Sequence, residues 1–212
     1  VIMTVLSLLI AGPIGIFSAI YMTEYAKKGN KFVGFVRTTT ETLAGIPSIV
    51  YGLFGQLLFV LACGFDYSML AGALTLSIMV LPTIMCTTEE ALLSVPDAYR
   101  EGSFGLGAGR LRTVFQIVLP SAVPGILAGV ILSVGRIIGE TAALIYTSGT
   151  VAGVPENLMS SGRTLAVHMY ALLNEGLYME QAYATAVILL IMLVLINALS
   201  NFISRKITAK GG

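Results

Sequence analysis

The 212 residues are 56% hydrophobic and only 11% charged, which excludes an ordinary soluble globular domain. Twelve Lys and Arg against 11 Asp and Glu leave a net charge of +1, and no basic face interleaved with aromatics stands out, so nothing points to nucleic acid. The 23 glycines fit a membrane chain, where glycine is more frequent than in soluble helices.

A hydrocarbon layer about 30 Å thick takes about 20 mostly apolar residues per helix. Five such runs follow one another: residues 1–22, 32–63, 68–88, 122–147 and 181–203. They predict an all-α fold, a polytopic transmembrane helical bundle making one domain over residues 1–212. The first run begins at Val1, with no initiator Met and no basic flank. The expectation is a fragment that has lost an N-terminal segment, itself a span.

Positive charge is retained on the cytoplasmic side near span ends. Lys27, Lys28, Lys31 and Arg37 follow the first run, Arg100, Arg110 and Arg112 the third, and Arg205, Lys206 and Lys210 the fifth. These groups fall on alternate loops, which places the first residue outside and the C-terminus in the cytoplasm.

The second run is long enough to be tilted or partly interfacial. Gly45 and Pro47, in AGIPSIVYG, predict a kink, because proline removes a backbone hydrogen bond and frees a carbonyl. With Ser48 beside it, the kink reads either as part of a pathway or hinge or as ordinary helix packing. Arg37 and Glu41, four residues apart near the cytoplasmic end, read as an interfacial pair. Pro82, late in the third run, reads as a second kink.

Residues 89–121 form a cytoplasmic segment of mixed polarity, with a glycine-rich break at GSFGLGAG and two prolines marking the return to the membrane. The pattern predicts two short amphipathic helices at the membrane surface, able to act as a lever for a soluble partner. No lysine follows a glycine directly, so a phosphate-cradling G-x-x-x-x-G-K-[ST] loop is absent. Catalysis by the chain finds no support, since G-x-S-x-G is missing too.

The fourth run carries Arg136 about 20 Å along its helix from residue 122, at 1.5 Å per residue. A central arginine costs at least about 3 kcal/mol on insertion scales, and it faces a bundle interior or a wet cavity. Glu140, one helical turn on, is expected on the same face, which Gly125, Gly129, Ser133 and Ala143 extend with small side chains. Two readings remain: an ion pair locking neighbouring helices, or an anion site in which Arg136 grips an oxyanion and Glu140 assists its release. The outer segment 148–180 and the fifth run complete the chain. Cys63, Cys86 and His168 have no partners at a ligand spacing, so no metal is expected.

The spacing E-x5-G-x9-I-x-L-P, at Glu101, Gly107, Ile117, Leu119 and Pro120, resembles the EAA loop of permease subunits in binding-protein-dependent ABC importers. Gly102 and Ser103 stand where the two alanines would be. Glu89 and Glu90, followed by Ala91, imitate the motif but lack the glycine six residues on. LAGIPSIVYGLFG, PSAVPGILAG, GRIIGETAALIYTSG and SSGRTLAVHMYALLNEG extend the likeness to phosphate permeases of the PstA type, over nearly the whole chain.

The resemblance implies six spans and a bacterial or archaeal plasma (inner) membrane location. It implies partners as well: a second, C-type permease, two ATPase subunits holding ATP and Mg, and an extracytoplasmic phosphate-binding protein meeting residues 148–180. It gives Glu101, Gly102, Ser103, Gly107, Ile117, Leu119 and Pro120 to ATPase coupling. No cofactor would sit in this chain. A permease for sulfate or molybdate, a C-type phosphate permease, and a secondary transporter or channel are the alternatives.

Overall fold

The computed structural model describes residues 1–27, 29–176 and 178–211, together with all their side chains except those at 203, 205 and 207–211. Lys28 therefore lies outside the described residues, as do the side chains of Arg205 and Lys210. Every regular element among the described residues is helical.

Helix α1 (Ile2–Ile20) continues as a π-helical turn, Tyr21–Tyr25. Helix α4 (Met69–Leu93) lies beside it. The two are fastened across their backbones: Ser7 Oγ donates to Ala73 O at 3.0 Å, and Ser77 Oγ to Ser7 O at 3.2 Å. Such bonds matter in a bundle whose apolar surface gains little by leaving lipid. Gly15 allows close approach, since a Cβ there would stand 2.9 Å from Ile84 Cγ2. Helix α4 continues through Pro82, which is buried among its neighbours.

The second run is broken rather than kinked. Helices α2 (Lys31–Ala44) and α3 (Ser48–Gly55, extended by a π segment Gln56–Ala62) meet at 106°. Pro47 has no N–H to give to the carbonyl of Leu43, and a residue before proline is pushed out of the helical region. The Leu43 carbonyl instead accepts from Ile46 N at 3.0 Å, and Tyr51 Oη, one turn into α3, adds a second bond to it at 2.7 Å, tying α3 back to the end of α2.

Helix α5 (Asp97–Gly105) stands alone, as predicted. The second surface helix expected in residues 89–121 is not separate. Helix α6 (Arg110–Thr113), a π segment Val114–Val118 and α7 (Leu119–Gly139) form one continuous 30-residue rod. Ile117, Leu119 and Pro120 therefore lie at the foot of a span. Small residues set its contact with α4: a Cβ on Gly125 would meet Ala91 Cβ at 2.6 Å, and one on Gly129 would meet Thr87 Oγ1 at 1.9 Å.

The fourth run is also discontinuous, ending α7 at Gly139 and restarting as α8 (Ala142–Ile145). Helix α9 (Leu165–Glu175) and the long α10 (Met179–Gly211) follow. His168, within the outer segment 148–180, is in α9. The segment between α8 and α9 caps α4: the N–H groups of Ser68, Met69 and Leu70 reach Thr147 O, Ser160 O and Leu158 O at 3.1, 3.1 and 2.9 Å. These are donors that a helix start cannot satisfy internally. Among the described residues, four helical segments are long and apolar enough to cross a membrane, and the bent α2–α3 pair makes up to five.

Candidate functional site

Two regions hold the residues singled out by sequence. The first is the end of the bundle at α5. Glu101 and Gly102 are exposed on this helix, and Tyr99 and Phe104 are exposed with them. Gly107 closes the helix in the left-handed region at φ +81°, where a side chain would be strained. The bonds Ala108 N to Ser103 O (3.1 Å) and Gly107 N to Phe104 O (2.9 Å) make a Schellman cap. Ser103 is buried, and its hydroxyl meets Thr113 Oγ1 at 2.8 Å, which ties α5 to the foot of the α6–α7 rod. Three of the motif positions thus have distinct tasks: an exposed acid, a buried hydroxyl tie, and a turn that only glycine adopts easily.

Arg100, which sequence reasoning used only as an orienting charge, is the joint between α5 and the spans. Its Nη2 donates to Glu24 Oε1 at 2.6 Å and to Leu92 O at 2.9 Å; its Nη1 donates to Val95 O at 2.7 Å and Asp97 Oδ1 at 3.2 Å. Nε reaches Glu24 Oε1 at 3.2 Å. Glu24 belongs to the π turn ending α1, Leu92 lies in the last turn of α4, and Val95 follows just after it. The hydrogen bond to Glu24 holds the Arg100 pKa above its ordinary value, so the guanidinium stays charged. Nearby, Arg110 lies over the Tyr25 ring, 5.5 Å from its centroid. The first two basic groups of the sequence therefore share one end of the bundle. Arg37 also departs from expectation: it pairs with Glu89 of α4 and not with Glu41. The acid that imitates the EAA motif is occupied in holding α2 to α4.

The second region surrounds Arg136, whose Nη1 donates to Thr83 Oγ1 at 3.4 Å near the midpoint of α4. The expected pair with Glu140 is not made. Because α7 ends at Gly139, Glu140 is extended (φ −73°, ψ 130°), and its buried Oε1 accepts from Ala143 N at 3.1 Å, capping α8. An i, i+4 relation holds only inside an unbroken helix. Ser133 is fully buried, donates to Gly129 O at 2.9 Å and does not line the cleft that Arg136 opens into. Gly45, Pro47 and Ser48 form the break between α2 and α3. A Cβ on Gly52 of α3 would stand 2.8 Å from the Cα of Ala143, so the two broken runs cross in close contact.

What faces Arg136 is an open cleft of about 710 Å³ between α4, α7 and α10, lined by Thr83, Leu132, Gly135, Arg136, Asn197 and Asn201 among others. Ion pairs among the described residues are Arg37–Glu89, Arg100–Glu24 and Arg100–Asp97. Arg136 is thus a cation at the level of the α4 midpoint with no carboxylate at salt-bridge distance among the described residues. Sequence reasoning missed Asn197 and Asn201, although two amides four residues apart in an apolar span are a visible signal.

Residues 11–210 match the family of binding-protein-dependent transport system inner membrane components. The chain is 36% identical to the probable ABC transporter permease protein YqgI of Bacillus subtilis, over 96% of this chain and 76% of that protein. It is 34% identical to the phosphate transport system permease protein PstA 2 of Mycobacterium bovis, over 94% and 68%. Among solved structures, an inward-facing MetNI methionine ABC transporter chain superimposes with a TM-score of 0.77 at 20% identity, covering 98% of this chain and 90% of that one. At that identity the likeness speaks for the fold alone.

Proposed function

Because the chain belongs to the binding-protein-dependent transport system inner membrane component family, and so is a permease subunit of an ABC importer rather than an enzyme, we propose that its cargo is inorganic phosphate. The observation that carries this reading is Arg136, a guanidinium without a carboxylate at salt-bridge distance among the described residues, opening at mid-span into a cleft whose otherwise mostly apolar lining includes Thr83, Asn197 and Asn201. Hydrocarbon would not tolerate that face, so it borders water or a second permease subunit. The planar fork of donors suits the oxygens of a phosphate and keeps its charge at any working pH. The 34% identity to a phosphate permease points the same way.

In this reading the α5 end faces the cytoplasm, and two ATPase subunits that bind ATP and Mg grip the exposed side of α5 around Glu101. Their closure would move α5, and Arg100 would pass the motion to α1 and α4. A C-type permease would complete the pathway at the Arg136 face. The extracytoplasmic binding protein would deliver phosphate to residues 148–164, which cap the opposite end. Glu140 acts as a helix cap at the break and not as a counter-ion for Arg136.

The test is uptake in vesicles holding the full complex, with phosphate, sulfate and molybdate offered separately. ATP-dependent import of phosphate is expected. Import of sulfate or molybdate in its place would assign another cargo to the same architecture, and uptake indifferent to ATP would contradict the importer mechanism.

A further inference from the structure

The inner half of α10 breaks the apolar character of its span. Tyr183, Val187, Ile188, Leu190, Ile191, Val194 and Leu195 are exposed hydrophobics, as lipid contact or a partner helix requires. From residue 197 the pattern changes: Asn197, Ser200, Asn201 and Ser204 recur at i, i+3, i+4 and i+7, which puts them on one helical stripe. The stripe runs from the level of Arg136 toward the α5 end. Asn197 lies over Gly135, whose missing side chain leaves the room: a Cβ there would be 3.8 Å from Asn197 Oδ1 and 4.0 Å from its Nδ2. Asn197 and Asn201 open into the same cleft as Thr83 and Arg136. Ser200 lines the adjoining cavity of about 690 Å³ on the other side of α7.

We propose that Asn197 and Asn201 are cargo-contacting residues that, with Arg136 and Thr83, select a protonated tetrahedral oxyanion over a fully deprotonated one. The inference rests on the phosphate reading and extends it to specificity. Arg136 offers only donors, which grip phosphate and sulfate oxygens alike. A carboxamide differs, since its oxygen accepts and its nitrogen donates. At neutral pH inorganic phosphate and arsenate keep at least one O–H, whereas sulfate keeps none. An amide oxygen facing the cargo therefore completes a bond with phosphate and is left unpaired against sulfate. A site built to bond a hydroxyl rejects the analogue that lacks it far more strongly than an apolar pocket rejects a misfit. Neutral amides also avoid adding charge that would hold a dianion in place. A stripe of them offers successive weak contacts beyond the single strong one.

The assembled complex, prepared without its binding protein so that upstream selection is removed, would be tested by equilibrium binding of radiolabelled phosphate, with arsenate and sulfate as competitors. In the wild type, arsenate should compete like phosphate, and sulfate at least about tenfold less well. In Asn197→Ala/Asn201→Ala, phosphate binding should weaken by about tenfold or more while sulfate binding changes little, so that discrimination collapses. Asn197→Ser/Asn201→Ser, which restores a small acceptor at each place, should recover part of the discrimination. ATPase copurification checks assembly of each variant. Unaltered discrimination in the double alanine variant would overturn the proposal, as would equal loss of phosphate and sulfate, or no phosphate binding in the wild type. Arg136→Gln separates the two levels. If it weakens binding of both anions while the asparagine variants do nothing, only the specificity inference fails; if neither matters, the phosphate-pathway reading fails with it.

Discussion

Removing Arg100 should loosen the bundle more than removing any other charge on α5. The side chains of Arg100 and Glu24 are 15% and 8% exposed, so solvent screens the pair little. Arg100→Ala leaves the Glu24 carboxylate buried without its partner, a kind of change that costs about 3–5 kcal/mol. It also removes the Arg100 donor from the Val95 carbonyl, at about 1 kcal/mol, a part of which water entering the gap restores, while the Leu92 carbonyl keeps its bond from Val95 N. Arg100→Lys keeps the charge, but a single ammonium cannot serve Glu24 and two carbonyls together; a loss of about 1.5–3 kcal/mol is expected from the hydrogen bonds alone. The assay is a double-mutant cycle over Arg100→Ala and Glu24→Gln, read by unfolding of the purified complex in a denaturing detergent series. The account predicts a coupling well above the roughly 0.5 kcal/mol within which independent sites add. Additive effects, or an Arg100→Ala protein as stable as wild type, would refute Arg100 as the joint. In reconstituted vesicles the loosened joint should show as more ATP hydrolysed per phosphate imported.

Other outcomes follow from the same contacts. Gly129→Ala forces a Cβ to within 1.9 Å of Thr87 Oγ1 and should destabilise the α4–α7 contact by about 1–3 kcal/mol, whereas Gly139→Ala, with nothing within 4 Å, should be close to neutral in the same unfolding assay. Glu140→Ala removes the acceptor for Ala143 N and should cost about 1 kcal/mol of stability, much as loss of a helix cap does; the apparent affinity for phosphate should hold, and a large affinity change would revive the release role for Glu140. Glu101→Ala should weaken copurification with the ATPase, while Glu89→Gln should spare it and instead loosen α2 from α4, detectable as faster proteolysis near residues 27–31.

The residues that sequence reasoning placed well were those whose reasons are local. Apolar runs mark the spans, and Pro47 marks the break between α2 and α3, because a missing N–H acts within one turn. The mixed polarity and glycine-rich break of residues 89–121 mark α5, though not that Gly107 caps it. The errors came where a local rule met a tertiary choice. Arg37 and Glu41 have the right spacing for each other, but α4 brings Glu89 to Arg37. Arg136 and Glu140 share a face only if the helix continues, and at Gly139 it stops. No proline announces that stop; the capping of α8 by Glu140 and the crossing of α3 over Ala143 accompany it. Arg100 was read for its charge alone because its partners lie on α1 and α4, far away in sequence. The polar stripe of α10, by contrast, was legible throughout in the spacing of Asn197, Ser200, Asn201 and Ser204.

The central claim is that Arg136, at mid-span and without a carboxylate partner among the described residues, handles the cargo anion. ATP-dependent phosphate uptake by vesicles containing the full complex, compared between wild type and Arg136→Gln, tests it directly. The account predicts an intact complex that copurifies with its ATPase, yet imports phosphate at least about tenfold more slowly, the equivalent of losing one charge-assisted contact of about 1.4 kcal/mol or more. Uptake at the wild-type rate in that variant would contradict it.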